Sequence, residues 1–124
     1  MFHGTSEEKL KKIFEEGLFV ADSFVYLTDK LKMARLFAKQ NAEKPVVLRV
    51  RVTDTSRLHP DLNMYDTPTK ELTKRYRVGI DDPLWGSVRG PHDPSDWKTS
   101  LKEVNSVIYD GRIPPKDILG WDYA

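Results

Sequence analysis

Apolar residues recur at helical spacing soon after the start of the chain. The stripe consists of three residues: Leu10, Ile13 and Phe14. Charged residues surround this stripe, which is typical of an amphipathic helix, and Gly17 follows it as a helix stop. Thr5 and Ser6 favour an N-cap, and Thr5-x-x-Glu8 has the spacing of a capping box. The pattern predicts a short strand, then a helix of about eleven residues that ends at Gly17.

Three further elements are predicted before residue 53. A strand over residues 24–28 precedes a helix near residues 30–41, which Asp29 is placed to cap. The inner stripe of that helix is Leu31, Ala34, Phe37 and Ala38. In residues 46–52 an inner set alternates with an outer one: Val46, Leu48, Val50 and Val52 against Val47, Arg49 and Arg51. This alternation predicts a half-buried strand with a polar outer face.

Periodicity is lost over residues 53–104, which contain several prolines and turn-forming residues. A strand returns at Ser106–Tyr109, followed by an Asp110-Gly111 turn and a short closing unit over residues 113–118. The sequence therefore predicts a single α+β domain over residues 1–124, with a loop-rich insert at about 53–104.

Composition and charge narrow the classes of protein and partner. The 124 residues suit one domain, and a net charge of +1 gives no overall basic signal for a nucleic-acid or membrane partner. No apolar run approaches the length of a membrane span, and no signal-peptide pattern is present, so we expect a cytoplasmic protein without membrane attachment. The chain has no cysteine, and its three histidines are far apart in sequence, which predicts no metal site.

One local basic cluster interrupts this balance. Four basic residues, with Tyr76 and Trp85 nearby, are concentrated in the predicted insert: Lys70, Lys74, Arg75 and Arg77. Basic groups interleaved with aromatic rings can follow a phosphate backbone and stack on bases. A solvated loop balanced by neighbouring aspartates is the alternative interpretation.

The opening residues suggest a ligand site. His3-Gly4 precedes the predicted helix, whose free N–H groups suit an amide oxygen or a phosphate. Gly4 lets a ligand approach the backbone closely, because it has no side chain. Tyr26, on the next strand, offers an aromatic ring, and the combination indicates a clamp for a nicotinamide dinucleotide.

The order of these motifs resembles the ADP-ribosyltransferase fold. His3-Gly4-Thr5, a helix ending in Gly-Leu, Tyr26-Leu27-Thr28 and a β-branched strand occur in that order, and Val107–Gly111 resembles the last core strand of the superfamily. The tail also resembles RNA 2′-phosphotransferases, which share the fold and use NAD. The likeness covers residues 2–52 and 104–119. It implies a split β-sandwich of two small sheets, with flanking helices and an NAD cleft between the sheets.

The resemblance also implies roles for five residues in holding NAD. His3 is expected to hold the ribose hydroxyls of the adenosine half, and Gly4 to bind the nicotinamide carboxamide through its backbone. Thr5 is expected to support the ribose through its hydroxyl. Tyr26 is expected to stack on the nicotinamide ring, with Thr28 beside the pocket.

The catalytic acid is where the chain departs from the family. Many members have a glutamate at the start of the last strand, and alignment places Asn105 there. Glu103 shares a strand face with Asn105 if the strand extends that far back, so Glu103 is the first candidate for the acid and Asp110 the second. Whether a chain with Asn105 at this position turns over NAD stays open.

The expected activity is transfer of ADP-ribose from NAD to a macromolecular acceptor, either nucleic acid or protein, with release of nicotinamide. One alternative is NAD-dependent RNA 2′-phosphotransfer, for which Arg35, Arg49 and Arg51 are the available phosphate ligands. Another is a non-catalytic module that binds NAD or nucleic acid. The sequence leaves open the acceptor, the oligomeric state, and a role as toxin, defence protein or housekeeping enzyme.

Overall fold

A computed structural model describes residues 1–20, 24–61 and 96–124. Three helices occur in these segments: α1 (Leu10–Glu16), α2 (Leu31–Asn41) and α3 (Asp96–Val104). Six strands accompany them: β1 (Phe2–Ser6), β2 (Val25–Leu27), β3 (Pro45–Val50), β4 (Leu58–Pro60), β5 (Val107–Tyr109) and β6 (Ile118–Tyr123). Single 3₁₀ turns lie at Glu7–Lys9, Thr55–Arg57 and Pro115–Asp117.

The six strands form two small antiparallel sheets, one in the order β1-β3-β6 and the other in the order β2-β5-β4. Phe2 and Thr28 join the sheets through two backbone hydrogen bonds, of 2.7 and 3.0 Å. Aliphatic residues of both sheets meet in one buried core. This combination of helices with antiparallel strands agrees with the predicted α+β class.

Strand β3 is buried on both faces, which corrects the predicted polar outer face. Val46, Leu48 and Val50 belong to the core between the sheets. Val47 points the other way and is still only 1% exposed, because α2 packs across β1 and β3 on that side. Arg49 is exposed, as predicted.

The first helix begins later than predicted. Ser6 belongs to β1 and makes no side-chain capping bond, and its buried hydroxyl has no partner among the described residues. Thr5 also lies within β1, paired with Val46, so the predicted capping box of Thr5 and Glu8 is wrong. Phe14 is also misassigned to the inner face, since it is 40% exposed. Gly17 ends the helix as predicted, with φ of 94° and its N–H bonded to the Ile13 carbonyl at 2.8 Å.

The second helix agrees closely with the sequence pattern. It starts at Leu31, and Ala34 and Ala38 form its buried stripe, although Leu31 itself is exposed. The cap differs from the prediction, since Lys30 is the N-cap residue and makes no side-chain capping bond. The predicted role of Asp29 is thus wrong.

The second half of the chain contains elements that the sequence pattern missed. Strand β4 ends in Pro60 and lies at the edge of its sheet, where a proline removes no inward ladder bond. Helix α3 lies within the predicted loop-rich insert, and the sequence pattern predicts no element for most of strand β6. The four residues of the basic cluster, Lys70, Lys74, Arg75 and Arg77, lie outside the described residues, as does most of the predicted loop-rich insert.

Candidate functional site

A cavity of about 340 Å³ opens where β1, β2 and α2 meet. Its volume lies within the range of about 300–1,000 Å³ that is typical of small-molecule sites. Four of the five residues that the family resemblance implies line it: His3, Gly4, Tyr26 and Thr28. Thr5 lines the two adjoining depressions instead, each of which also includes His3 and Lys9.

Gly4 is required by the packing of α2 against β1. A Cβ atom at this position would lie 2.6 Å from the Ala34 carbonyl oxygen and 2.9 Å from the Ala38 nitrogen. Both of these are backbone atoms, so the helix would have to move to admit any side chain. The close neighbour of Gly4 is therefore a helix, whereas the sequence suggested a ligand.

The backbone of Gly4 is nevertheless directed towards the cavity edge. In the antiparallel ladder of β1 and β3, Met1 and Val50 exchange hydrogen bonds, so Gly4 and Val47 form a non-hydrogen-bonded pair. The N–H and C=O of Gly4 therefore point away from β3, towards β2. Neither group takes a backbone partner among the described residues.

The two strands diverge after the Phe2–Thr28 bridge, and His3 fills the opening. Continuing that antiparallel bridge would pair Gly4 with Tyr26. Instead, the carbonyl oxygen of Tyr26 accepts a hydrogen bond from Nδ1 of His3 at 2.7 Å. A carbonyl can only accept, so Nδ1 carries the proton, and Nε2 of the neutral ring is left as an acceptor.

Burial sets the charge state of His3. The imidazole is half-buried, and desolvation lowers its pKa below the ordinary value of 6.5, assisted by the positive charge of Lys9. The hydrogen bond to the Tyr26 carbonyl opposes this shift without reversing it. At neutral pH the ring is therefore uncharged and can accept a hydrogen bond from a hydroxyl group.

Tyr26 presents its ring to the cavity. Its neighbours Val25 and Leu27 point into the core and are at most 1% exposed, whereas Tyr26 is 41% exposed. The alternation of a strand produces this contrast. An exposed, rigid ring beside free backbone groups suits the binding of a flat heteroaromatic ligand.

The register of the second sheet shows which residues share the face of Tyr26. Tyr26 lies opposite Ile108, which lies opposite His59 on β4. Extending the same register by one residue places Thr28 opposite Ser106 and Ser106 opposite Asp61. Residues directly opposite in antiparallel strands share a face of the sheet. Ser106 and Asp61 therefore lie on the face of Tyr26 and Thr28, opposite to the core.

Ser106 connects the cavity to a buried hydrogen-bond network. It lines the cavity, and its hydroxyl donates to Oδ2 of Asp61 at 2.6 Å. Ser100 of α3 donates to the Ser106 carbonyl at 2.7 Å and accepts from the Asp61 N–H at 2.9 Å. All three side chains are at most 2% exposed. Sequence reasoning missed Ser106, although it directly follows Asn105, and gave no signal for Asp61, which follows the proline of β4.

The candidate acids lie away from this cavity. Glu103 is exposed near the end of α3, so the expectation that it shares a strand face with Asn105 is wrong. Asn105 adopts a left-handed conformation, with φ of 57°, and lines a separate depression with Trp97. The backbone of Asp110 bonds with Arg57. No carboxylate occurs among the described residues that line the cavity.

The candidate phosphate-binding arginines do not meet at the cavity either. Arg51 bonds to the buried carboxylate of Asp117 at 3.3 Å. The guanidinium of Arg49 lies over Gly120, on β6. Arg35 is exposed on α2 and is absent from the cavity lining. Two lysines, Lys9 and Lys12, line an adjoining depression that includes His3.

The described segments were compared with the requirements of a metal site and of a membrane-spanning helix. Within residues 1–20, 24–61 and 96–124, no three histidine or acidic side chains are grouped so as to hold a metal ion. No helix in these segments has the length and apolar character needed to cross a membrane.

A scan against protein-family models and a search of curated proteins found no match to the chain.

Proposed function

We propose that the protein binds NAD in this cavity and transfers ADP-ribose to a macromolecular acceptor, with release of nicotinamide. The observation that carries the proposal is the pair of backbone groups of Gly4, which point towards β2, the strand that bears the exposed Tyr26. The arrangement of two small sheets that diverge at this point also supports an ADP-ribosyltransferase-like split sandwich.

The chemistry of nicotinamide complements these groups. Its carboxamide has an N–H₂ donor and a C=O acceptor, which match the C=O and N–H of one backbone residue whose two groups point the same way. Gly4 offers both groups at one edge of β1, and Tyr26 offers a face for the pyridine ring. Thr28, which forms the strand bridge with Phe2, also lines the cavity.

The remainder of NAD can extend past His3. The two depressions that adjoin the cavity are both lined by His3, Thr5 and Lys9. Neutral His3 accepts a hydrogen bond from a ribose hydroxyl through Nε2. The lysine ammonium groups suit the diphosphate, as point charges rather than as bidentate ligands.

The proposed reaction breaks the bond between C1′ of the ribose and N1 of nicotinamide. Nicotinamide leaves with the electron pair, which neutralises its pyridinium ring. A nucleophilic group of the acceptor bonds to C1′ and loses its proton. The transition state carries positive charge on the ribose, so the site accelerates the reaction by orienting NAD and by placing negative charge nearby.

Incubation of the purified protein with adenylate-labelled NAD and separate pools of DNA, RNA and protein tests this proposal. Transfer of label to one pool, with stoichiometric release of nicotinamide, supports it. Binding of NAD without release of nicotinamide would instead identify a non-catalytic NAD-binding module. That second candidate is favoured by the lack of a carboxylate among the described residues that line the cavity.

The same assay separates RNA 2′-phosphotransfer, since that reaction forms an ADP-ribose cyclic phosphate from a 2′-phosphorylated RNA. We rank this reaction last, because Arg35, Arg49 and Arg51 do not converge on the cavity.

A further inference from the structure

The hydroxyl group of Ser106 lines the cavity and donates its proton to a buried carboxyl group outside it. Ser106 directly precedes β5 and lines the cavity together with Thr28 and Tyr26. A serine hydroxyl has one proton and two lone pairs. The Ser106 proton is directed to Asp61, 2.6 Å away, so the hydroxyl presents only lone pairs to a ligand.

The carboxylate of Asp61 lies in a position that the ligand cannot reach. Asp61 is 1% exposed, is absent from the cavity lining, and follows β4 on the side of β5 away from β2. Its backbone N–H is anchored on Ser100 of α3. The Asp61 carboxyl group therefore lies one hydroxyl group behind the cavity wall, where its hydrogen bond with Ser106 is shielded from water.

We propose that Ser106 binds a ribose hydroxyl of the nucleotide in this cavity, and that Asp61 is the positioning residue that fixes the Ser106 hydroxyl as an acceptor. This inference rests on the proposed function. Together the pair takes the place of a carboxylate at the start of this strand, where the sequence alignment had found Asn105. It accepts a hydrogen bond from the ligand and places negative charge behind the ribose.

The pair also selects between ligand groups. An acceptor-only oxygen backed by a carboxylate attracts a hydroxyl donor and repels a phosphate oxygen, which has no proton to give at neutral pH. Ser106 therefore recognises the ribose of NAD and contributes nothing to the binding of nicotinamide alone, which lacks a hydroxyl group.

Calorimetric titration with NAD and with free nicotinamide tests this inference. The variants are Ser106→Ala and Asp61→Asn, and the matched control is Ser100→Ala. The control breaks two hydrogen bonds of the same buried network but removes no atom from the cavity lining. We expect both test variants to weaken NAD binding about tenfold, the usual size for a charge-assisted hydrogen bond, and to leave nicotinamide binding unchanged. Ser100→Ala should leave the ratio of the two affinities unchanged, because it removes neither the Ser106 hydroxyl nor the Asp61 carboxyl.

The outcomes are distinguishable. If the wild type binds both ligands, and the ratio of the two affinities in Ser106→Ala and in Asp61→Asn is the same as in the wild type, the inference is overturned and the proposed function stands. If Ser100→Ala changes the ratio as much as Ser106→Ala, the network is structural and the inference is likewise overturned. If the wild type binds neither ligand, the proposed function fails and the inference with it. Should Ser106→Ala fail to fold, Ser106→Cys preserves the volume, and its weakly accepting sulfur should give the same loss for NAD.

Discussion

Nδ1 of His3 lies 2.7 Å from the carbonyl oxygen of Tyr26. If the ladder between β1 and β2 continued past the Phe2–Thr28 bridge, this carbonyl would instead accept a hydrogen bond from the backbone N–H of Gly4. This contact occupies the Tyr26 carbonyl and fixes the tautomer of the imidazole, and the backbone groups of Gly4 have no partner on β2. The candidate site therefore exists because two strands joined at Phe2 and Thr28 separate within two residues.

Replacement of Tyr26 by alanine tests the aromatic part of the site. Tyr26→Ala should weaken nicotinamide and NAD binding by about two- to tenfold, because a stacked ring contributes about 0.5–1.5 kcal/mol beyond the area that it buries. Tyr26→Phe is the matched control, since it retains the ring and removes only the hydroxyl. Equal affinities of Tyr26→Ala and the wild type in calorimetric titration would contradict the stacking role.

His3 should be needed for NAD use and dispensable for folding. His3→Ala removes one half-buried side chain at a cleft, so the free energy of unfolding should fall by about 1 kcal/mol. Label transfer from NAD should be lost, or NAD binding weakened if the protein is a binding module. An unfolded His3→Ala variant, seen by circular dichroism, would show that the histidine is structural and that the site assignment fails.

The lowered pKa of His3 predicts a pH dependence with a definite sign. Burial disfavours the protonated ring in the folded state, so the unfolded chain binds that proton more readily. The free energy of unfolding should therefore rise with pH up to about 6.5 on account of His3, and this contribution should be complete above that pH. Urea titrations at several pH values, compared between the wild type and His3→Asn, isolate it. A wild type that gains stability relative to His3→Asn as the pH falls would refute the assignment.

Gly4→Ala should destabilise the fold. The added Cβ meets two backbone atoms of α2, and overpacking of this kind typically costs about 1–3 kcal/mol. Gln40→Ala, an exposed change on the same helix, should lie within about 0.5 kcal/mol of the wild type. Urea denaturation measures both. A Gly4→Ala variant as stable as Gln40→Ala would show that α2 can move away from β1 without cost.

Glu103→Gln should leave any NAD turnover within about twofold of the wild type. The side chain is exposed on α3, and it is absent from the cavity lining, so it places no charge beside the ribose. A directly acting carboxylate is commonly worth about 10²–10³ in rate. Steady-state release of nicotinamide distinguishes the two cases. A hundredfold loss in Glu103→Gln would restore a direct role for Glu103.

Local patterns in the sequence predicted the elements whose signals lie within a few residues. The stop at Gly17 and the Ala34–Ala38 stripe of α2 depend on backbone conformation and helical periodicity, which neighbouring residues determine. The order of the His3-Gly4 and Tyr26 motifs likewise led to the residues that line the cavity. Those parts of the site lie on the strands that the sequence pattern identified.

Tertiary structure alone decided which groups work together across strands. Val47 looked outward by alternation and is buried because α2 covers its face. Glu103 looked like a strand residue and is helical. Ser106 and Asp61, 45 residues apart, meet only because β4 pairs with β5 in one particular register. Contacts over such separations depend on strand register and on close packing, which no local pattern specifies, and so the sequence determined the elements of this protein while the pairing of its strands determined its candidate site.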